Sequence, residues 1–178
     1  MEEAAVNPAA DREARFAALV GSHRERARRL AFRLVGGDAE AAEDVAQDAF
    51  VRAWAGLDRF RGDSSLETWF YRILVRAAHN YRRWRAVRQV WTTVRSDELL
   101  DPAAPPPGDP ALRRRIQSAL EGLTRLQRDS FVLVHMEGFS VRETAEILGR
   151  AQGTVKSHLH RALRRLRAEL GDLRDGNT

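Results

Sequence analysis

The chain has 178 residues, a net charge of +5 at pH 7, 43% hydrophobic residues and no cysteine. That length suits one large domain or two small ones, and the basic balance favours an acidic partner such as nucleic acid. Without cysteine there are no disulfides, thiol nucleophiles or cysteine-ligated zinc, which fits a reducing cytosol. No apolar run approaches a membrane span, and the acidic start MEEAAVNPAADREAR lacks the apolar core of a signal peptide. Cytoplasmic residence without membrane insertion is therefore expected. Alternating β-branched patterns are nearly absent. The expected fold is all-α: two small helical domains joined by a Pro-rich acidic linker, the C-terminal one a helix–turn–helix domain.

The first domain is expected over residues 11–92. A helix over Arg12–Val35 carries Phe16, Leu19, Val20, Ala27, Leu30, Ala31 and Leu34 on one side, and Gly36-Gly37 ends it. Asp38 caps a second helix over Ala39–Ala55. Its early acids (Glu40, Glu43, Asp44, Asp48) suit the helix dipole, and Ala42, Val45, Ala49, Phe50, Ala53 and Trp54 are its apolar set. After the loop LDRFRGDSS, Ser64 and Glu67 read as a capping box. They open a long helix to Arg88, with Leu66, Phe70, Ile73, Ala77, Tyr81 and Trp84 as its core stripe.

Residues 93–110 are expected to form an extended linker. The stretch SDELLDPAAPPPGDP holds five of the six prolines and four acids, with no basic residue. Fifteen residues near polyproline II geometry span about 45 Å. The stretch reads either as a plain spacer or as a segment suited to a basic channel.

The second domain is expected over residues 111–173. One helix covers Leu112–Gly122, and Thr124 with Gln127 caps a second through Glu137, ended by Gly138. Ser140 with Glu143 then opens a helix carrying Val141, Ala145 and Leu148, and Gly149 suits its left-handed end. After a short turn, a helix from Gly153 buries Val155, Leu159, Ala162, Leu163, Leu166 and Leu170. Its other face carries Lys156, Ser157, His158, Arg161, Arg164, Arg165 and Arg167. A recognition helix of this kind enters the major groove with its N-terminal residues at the base edges; a helical hairpin with a solvated basic face is the bland alternative. Lys156 is the chain's single lysine among many arginines, which favours a role for that side chain. The tail ending RDGNT is expected to fray.

A second basic face runs along the long helix: Trp69, Arg72, Arg76, Asn80 and Arg83, at spacings of three and four. Arginines supply phosphate contacts, and an aromatic among them offers a surface on which unpaired bases stack. The alternative is a core Trp69 with solvated arginines. Along the acidic helix, Asp44, Gln47 and Asp48 share one side near Arg52, which reads as an exposed face or a dock for a basic partner.

These segments carry a resemblance. DVAQDAFVRAW, FRGDSSLETWFYRILVRAA, the proline-rich acidic linker and LTRLQRDSFVLVHMEGFSVRETAEILGRAQGTVKSHLHRALRRLR occur in one order and spacing. Together they resemble the bacterial extracytoplasmic-function (ECF) sigma factors of the sigma-70 family, over residues 12–92 and 111–171. The resemblance implies a non-enzymatic factor that directs core RNA polymerase to promoters and assists melting of the −10 element. It implies docking on the β′ clamp helices, carried here by Asp44, Gln47, Asp48, Phe50 and Arg52, and contact with the β flap. Recognition of the −10 element would fall on Arg61, Gly62, Asp63, Ser64, Trp69, Arg72, Arg76 and Asn80. The −35 element would fall on Thr154, Lys156, Ser157, His158 and Arg161. The linker resembles the segment threaded near the polymerase active site and RNA exit path. An anti-sigma protein holding the factor inactive is a further implied partner, although no residue here identifies one.

The chain departs from the family pattern at four positions. Arg76 stands where Asn is frequent, Asn80 where Asp is, Ala151 where many relatives have a capping Ser or Pro, and His158 where Arg is common. These differences bear on the promoter sequence. A monomer without cofactor or metal is expected, since His158 and His160 lack further ligands nearby in sequence. Separating duplex DNA costs about 1.4 kcal/mol per stacked step, and stacking one base on an aromatic returns roughly 1–3 kcal/mol. One or two captured bases cannot open a bubble, so melting requires the polymerase. Two other readings stay open: a stand-alone helix–turn–helix regulator, which would bind its operator without polymerase, and a pure interaction protein that binds a negative regulator without DNA.

Overall fold

The computed structural model describes residues 8–89 and 110–171; every element among them is helical, and they divide into two compact units. The linker residues 93–109 and the tail from residue 172 lie outside the described residues.

The first unit contains α1 (Pro8–Val35), α2 (Ala39–Gly56), a 3₁₀ turn (Leu57–Arg59) and α3 (Leu66–Gln89). α1 begins four residues before the expected start. Proline's fixed φ and missing N–H suit a first helical turn, so Pro8 starts the helix rather than delaying it. α2 buries Ala41, Ala42, Val45, Ala46, Ala49 and Ala53. Rings then lock the three helices: Phe50 stacks on Phe70 of α3 at 4.6 Å, and Phe16 of α1 meets Trp54 edge-on at 5.0 Å. Full burial of such apolar side chains contributes roughly 1.5–3 kcal/mol each.

Two expectations for α3 need correction. Its cap is Ser65, not Ser64: the Ser65 hydroxyl accepts the Thr68 N–H at 3.0 Å and donates to the Thr68 hydroxyl at 2.8 Å. Glu67 turns instead to α1, where it pairs with Arg26. The core stripe is also rotated. Phe70, Tyr71, Leu74, Val75, Ala77 and Ala78 are buried, Ile73 is half-buried, and Trp84 is 53% exposed. His23 of α1 reaches the same core, with Nδ1 3.3 Å from the Tyr71 hydroxyl.

The second unit contains α4 (Pro110–Glu121), α5 (Arg125–Phe131), a π turn (Val132–Met136), α6 (Val141–Leu148) and α7 (Gln152–Leu170). Pro110, expected to close the linker, instead occupies the first position of α4, for the same reason as Pro8. The Gln127 side chain accepts the Thr124 N–H at 3.0 Å, closing the expected capping box of α5. The helix does not continue as an α-helix to Glu137. Its last turn widens, with the Glu137 N–H donating to the Val132 carbonyl and the Phe139 N–H to that of Leu133, each at 2.9 Å. The wider turn leaves Val132, Leu133 and Phe139 all buried. Gly138, at φ 75°, then reverses the chain. α7 packs on α4, α5 and α6, burying Val155, Ala162 and Leu166; Leu159, Leu163 and Leu170 stay half-buried.

Candidate nucleic-acid interface

The helix–turn–helix is α6, a tight turn and α7. Ser140 accepts the Glu143 N–H at 3.1 Å, and the Glu143 carboxylate accepts the Ser140 N–H at 2.9 Å and its hydroxyl at 2.6 Å. At the other end Gly149 adopts φ 62°, ψ 46°, a conformation that costs glycine nothing sterically. Arg150 and Ala151 turn the chain, and Ala151 caps α7 without any side-chain hydrogen bond.

These terminators fix which side of α7 faces out. Val155 is fully buried, which leaves Lys156, Ser157 and Arg161 exposed on the opposite side. Thr154 and His158 lie half-buried at its edges. His158 Nδ1 is buried without a hydrogen-bond partner among the described residues. That leaves Nε2 as the ring nitrogen available to a ligand. The five expected −35 residues thus share the first three turns of one helix.

In the first unit the loop from Phe60 to Ser65 leads into α3. Gly62 takes φ 78° at its tip, where Arg61 and Asp63 are exposed and Ser64 is half-buried. Trp69 is half-buried, its ring 5.3 Å from that of Phe60. A Cβ on Gly56 would come within 3.2 Å of the Trp69 ring, so this glycine makes the seat for the indole. Arg72 is half-buried, and Arg76 and Asn80 are exposed further along α3. Arg83 donates to the Asn80 side-chain oxygen at 3.4 Å. The structure therefore gathers Arg76, Asn80 and Arg83 on one open face and tucks Trp69 towards the loop.

On α2, Asp44, Gln47 and Arg52 are exposed and Asp48 is half-buried. Both Asp48 oxygens accept from Arg52 Nε at 2.8 Å. A solvent-exposed pair of this kind holds together by less than about 1 kcal/mol, so both groups stay available to a partner. Phe50 is placed differently from the other four. It points inward, stacked on Phe70 and edge-on to Phe16 at 6.4 Å. It also lines a groove of about 700 Å³ between α1 and α2, with Phe16, Val20, Val51 and Trp54. The sequence reading missed the exposure of Trp84. The signal was its position one turn beyond Asn80, between Arg83 and Arg85.

Residues 19–88 match the family model for sigma-70 region 2, and residues 113–166 match that for sigma-70 region 4. The ECF RNA polymerase sigma factor SigM of Mycobacterium tuberculosis is 37% identical over 172 residues, covering 97% of this chain and 85% of that protein. The chain belongs to the ECF sigma factor family. The RNA polymerase sigma-E factor of Streptomyces avermitilis is also 37% identical, over 142 residues that cover 80% of this chain and 77% of that one. Among solved structures, a sigma factor RpoE in complex with the anti-sigma factor NepR, from Bartonella quintana, matches with a TM-score of 0.74. It is 29% identical and the match covers 88% of this chain and 96% of that one. This sigma factor is thus an RNA polymerase initiation factor. Region 2 spans the α3 face and the Gly62 loop, and region 4 spans the helix–turn–helix. No helix among its described residues is long and apolar enough to cross a membrane, and no cluster of His, Cys, Asp or Glu among them is placed to hold a metal.

Proposed function

We propose that the two units divide promoter recognition between them. Residues 11–92 dock on core polymerase and engage the −10 element, residues 93–109 connect, and residues 110–173, beginning with α4, read the −35 element. The observation that carries this reading is the outward row Lys156, Ser157 and Arg161 on a helix held at its back by buried Val155 and Ala162. Thr154 and His158 flank the row. Arg61, Gly62, Asp63, Ser64, Trp69, Arg72, Arg76 and Asn80 form the −10 surface. Asp44, Gln47, Asp48 and Arg52 meet the clamp helices of the β′ subunit, while Phe50 supports them from inside. The β flap is a second contact on the polymerase.

The factor acts in the cytoplasm as a monomer when free and catalyses no reaction itself. An anti-sigma protein is its natural inhibitor, a reading supported by the complex in which the similar sigma factor RpoE was solved with its anti-sigma factor NepR. Run-off transcription on genomic fragments, with core polymerase alone and with the added protein, tests the whole. Discrete new start sites are expected. Their absence with folded protein and active core would refute the reading.

A further inference from the structure

From Phe70 to Gln89, α3 carries no acidic residue, while arginines stand at 72, 76, 82, 83, 85 and 88. Within this basic run lies a large exposed apolar pair: Trp84 at 53% and Val87 at 59%. Asn80, Arg83, Trp84 and Val87 stand at i, i+3, i+4 and i+7. They therefore lie along one side of the helix, turned away from buried Leu74 and Ala78; on the core-facing flank of this side the Trp84 ring lies 6.2 Å from that of Tyr81, a turn beyond buried Ala77. Four residues of helix advance about 6 Å, so the indole lies one turn beyond the Asn80 amide. An exposed indole costs free energy in water, and an acidic protein partner would be expected to pair the arginines with carboxylates. A polyanion whose subunits also carry flat aromatic faces matches both features at once.

We propose that Trp84 is a further DNA-positioning residue: its indole stacks on the exposed face of a base next to the one Asn80 addresses, and Val87 packs against the adjoining sugar. Arg76 and Arg83 hold the phosphates on either side. This inference rests on the assignment of the α3 face to promoter DNA. The base face it meets belongs either to an already unpaired nucleotide or to the last pair at the edge of the duplex.

The test uses holoenzyme assembled with core polymerase, on a promoter fragment identified by run-off transcription. The fragment is prepared as full duplex and with its −10 segment opened by mismatches. Trp84→Ala should reduce open-complex formation roughly 5- to 160-fold, the range expected for loss of one stacked base. Trp84→Phe, which keeps an aromatic face, should stay within about threefold of the unchanged protein. Core association should be the same in all three, and the salt dependence of promoter binding should be unchanged in Trp84→Ala. In Arg83→Ala that slope should fall by about one. A loss on both templates places the base among unpaired nucleotides, and a loss confined to duplex places it at the last pair. Unchanged promoter occupancy in Trp84→Ala overturns the proposal. So does weakened core association, which would assign the patch to a protein contact. Failure of the unsubstituted holoenzyme to give specific transcripts would instead overturn the underlying DNA assignment, and this inference with it.

Discussion

Replacing Ser140 with Ala should loosen the helix–turn–helix at its entry. α6 has only eight residues, so it cannot persist alone and depends on its cap and its packing. The substitution removes the acceptor of the Glu143 N–H and the hydroxyl bound to the Glu143 carboxylate. Loss of an N-cap side chain costs 0.5–2 kcal/mol. Ser140 is exposed, so water replaces part of the lost bonding and the cost should lie near 1 kcal/mol. Local opening of α6 should then be about five times more frequent. Hydrogen exchange of the peptide spanning Ser140–Leu148 reads this directly in the full-length protein. Ser140→Thr keeps the acceptor and should exchange at nearly the original rate. Unaltered exchange in Ser140→Ala, or equal acceleration in Ser140→Thr, would refute the capping argument.

Replacing Lys156 or Arg161 with Ala should cost about 1–3 kcal/mol at one base position if the side chain reads a base edge, or weaken all sequences alike if it meets phosphate; competition binding with single-position promoter variants distinguishes these, and full activity in both variants would remove the two residues from the interface. Asp48→Arg reverses a half-buried charge at the surface and frees Arg52, so it should impair co-purification with core polymerase while the thermal transition moves little. Burial holds the His23 imidazole below its ordinary value, with Glu67 opposing and Arg26 reinforcing the shift. The unfolded chain then takes up the proton at a higher pH than the folded one. The first unit should keep its full stability above about pH 6.5 and lose some as pH falls towards the lowered native value. Urea midpoints should show a flatter acid limb in His23→Gln, and parallel curves would refute the linkage.

Much of this architecture was legible because helical chains state their boundaries chemically. Ser140 with Glu143, Thr124 with Gln127, and Gly149 each mark an end through a bond or a φ value that depends on few neighbours. The misreadings arose where neighbours decide. Ser64 alone has a Glu three residues on, yet Ser65 takes the cap through the Thr68 N–H and hydroxyl, while Glu67 pairs with Arg26 of α1. The buried side of α3 keeps Phe70 and Ala77 of the expected stripe but extends to Tyr71, Leu74 and Val75 rather than to Ile73 and Trp84. The widened turn after Phe131 leaves no trace in residue type, because it reflects how Phe139 is drawn under Leu133. At the interfaces, side-chain spacing found the row on α7. It placed Phe50 both in the apolar set of α2 and in the docking set, and the structure shows the ring stacked on Phe70 and half-buried while Asp44, Gln47 and Arg52 stay exposed.

Arg12 draws together parts of the first unit that lie far apart in sequence. Its guanidinium sits 4.1 Å from the centre of the Trp54 ring, donates to the Trp54 carbonyl at 2.7 Å and pairs with Asp58 at 2.9 Å. One side chain thereby closes a ring of 47 residues, from Arg12 to Asp58, by non-covalent means alone. The consequence is practical: residue 12 is the inner limit for trimming. A fragment that begins before it keeps a clasped 3₁₀ turn and a fixed origin for the Gly62 loop. One that begins after it starts that loop from a loose end, and would misreport the affinity of whatever the loop binds.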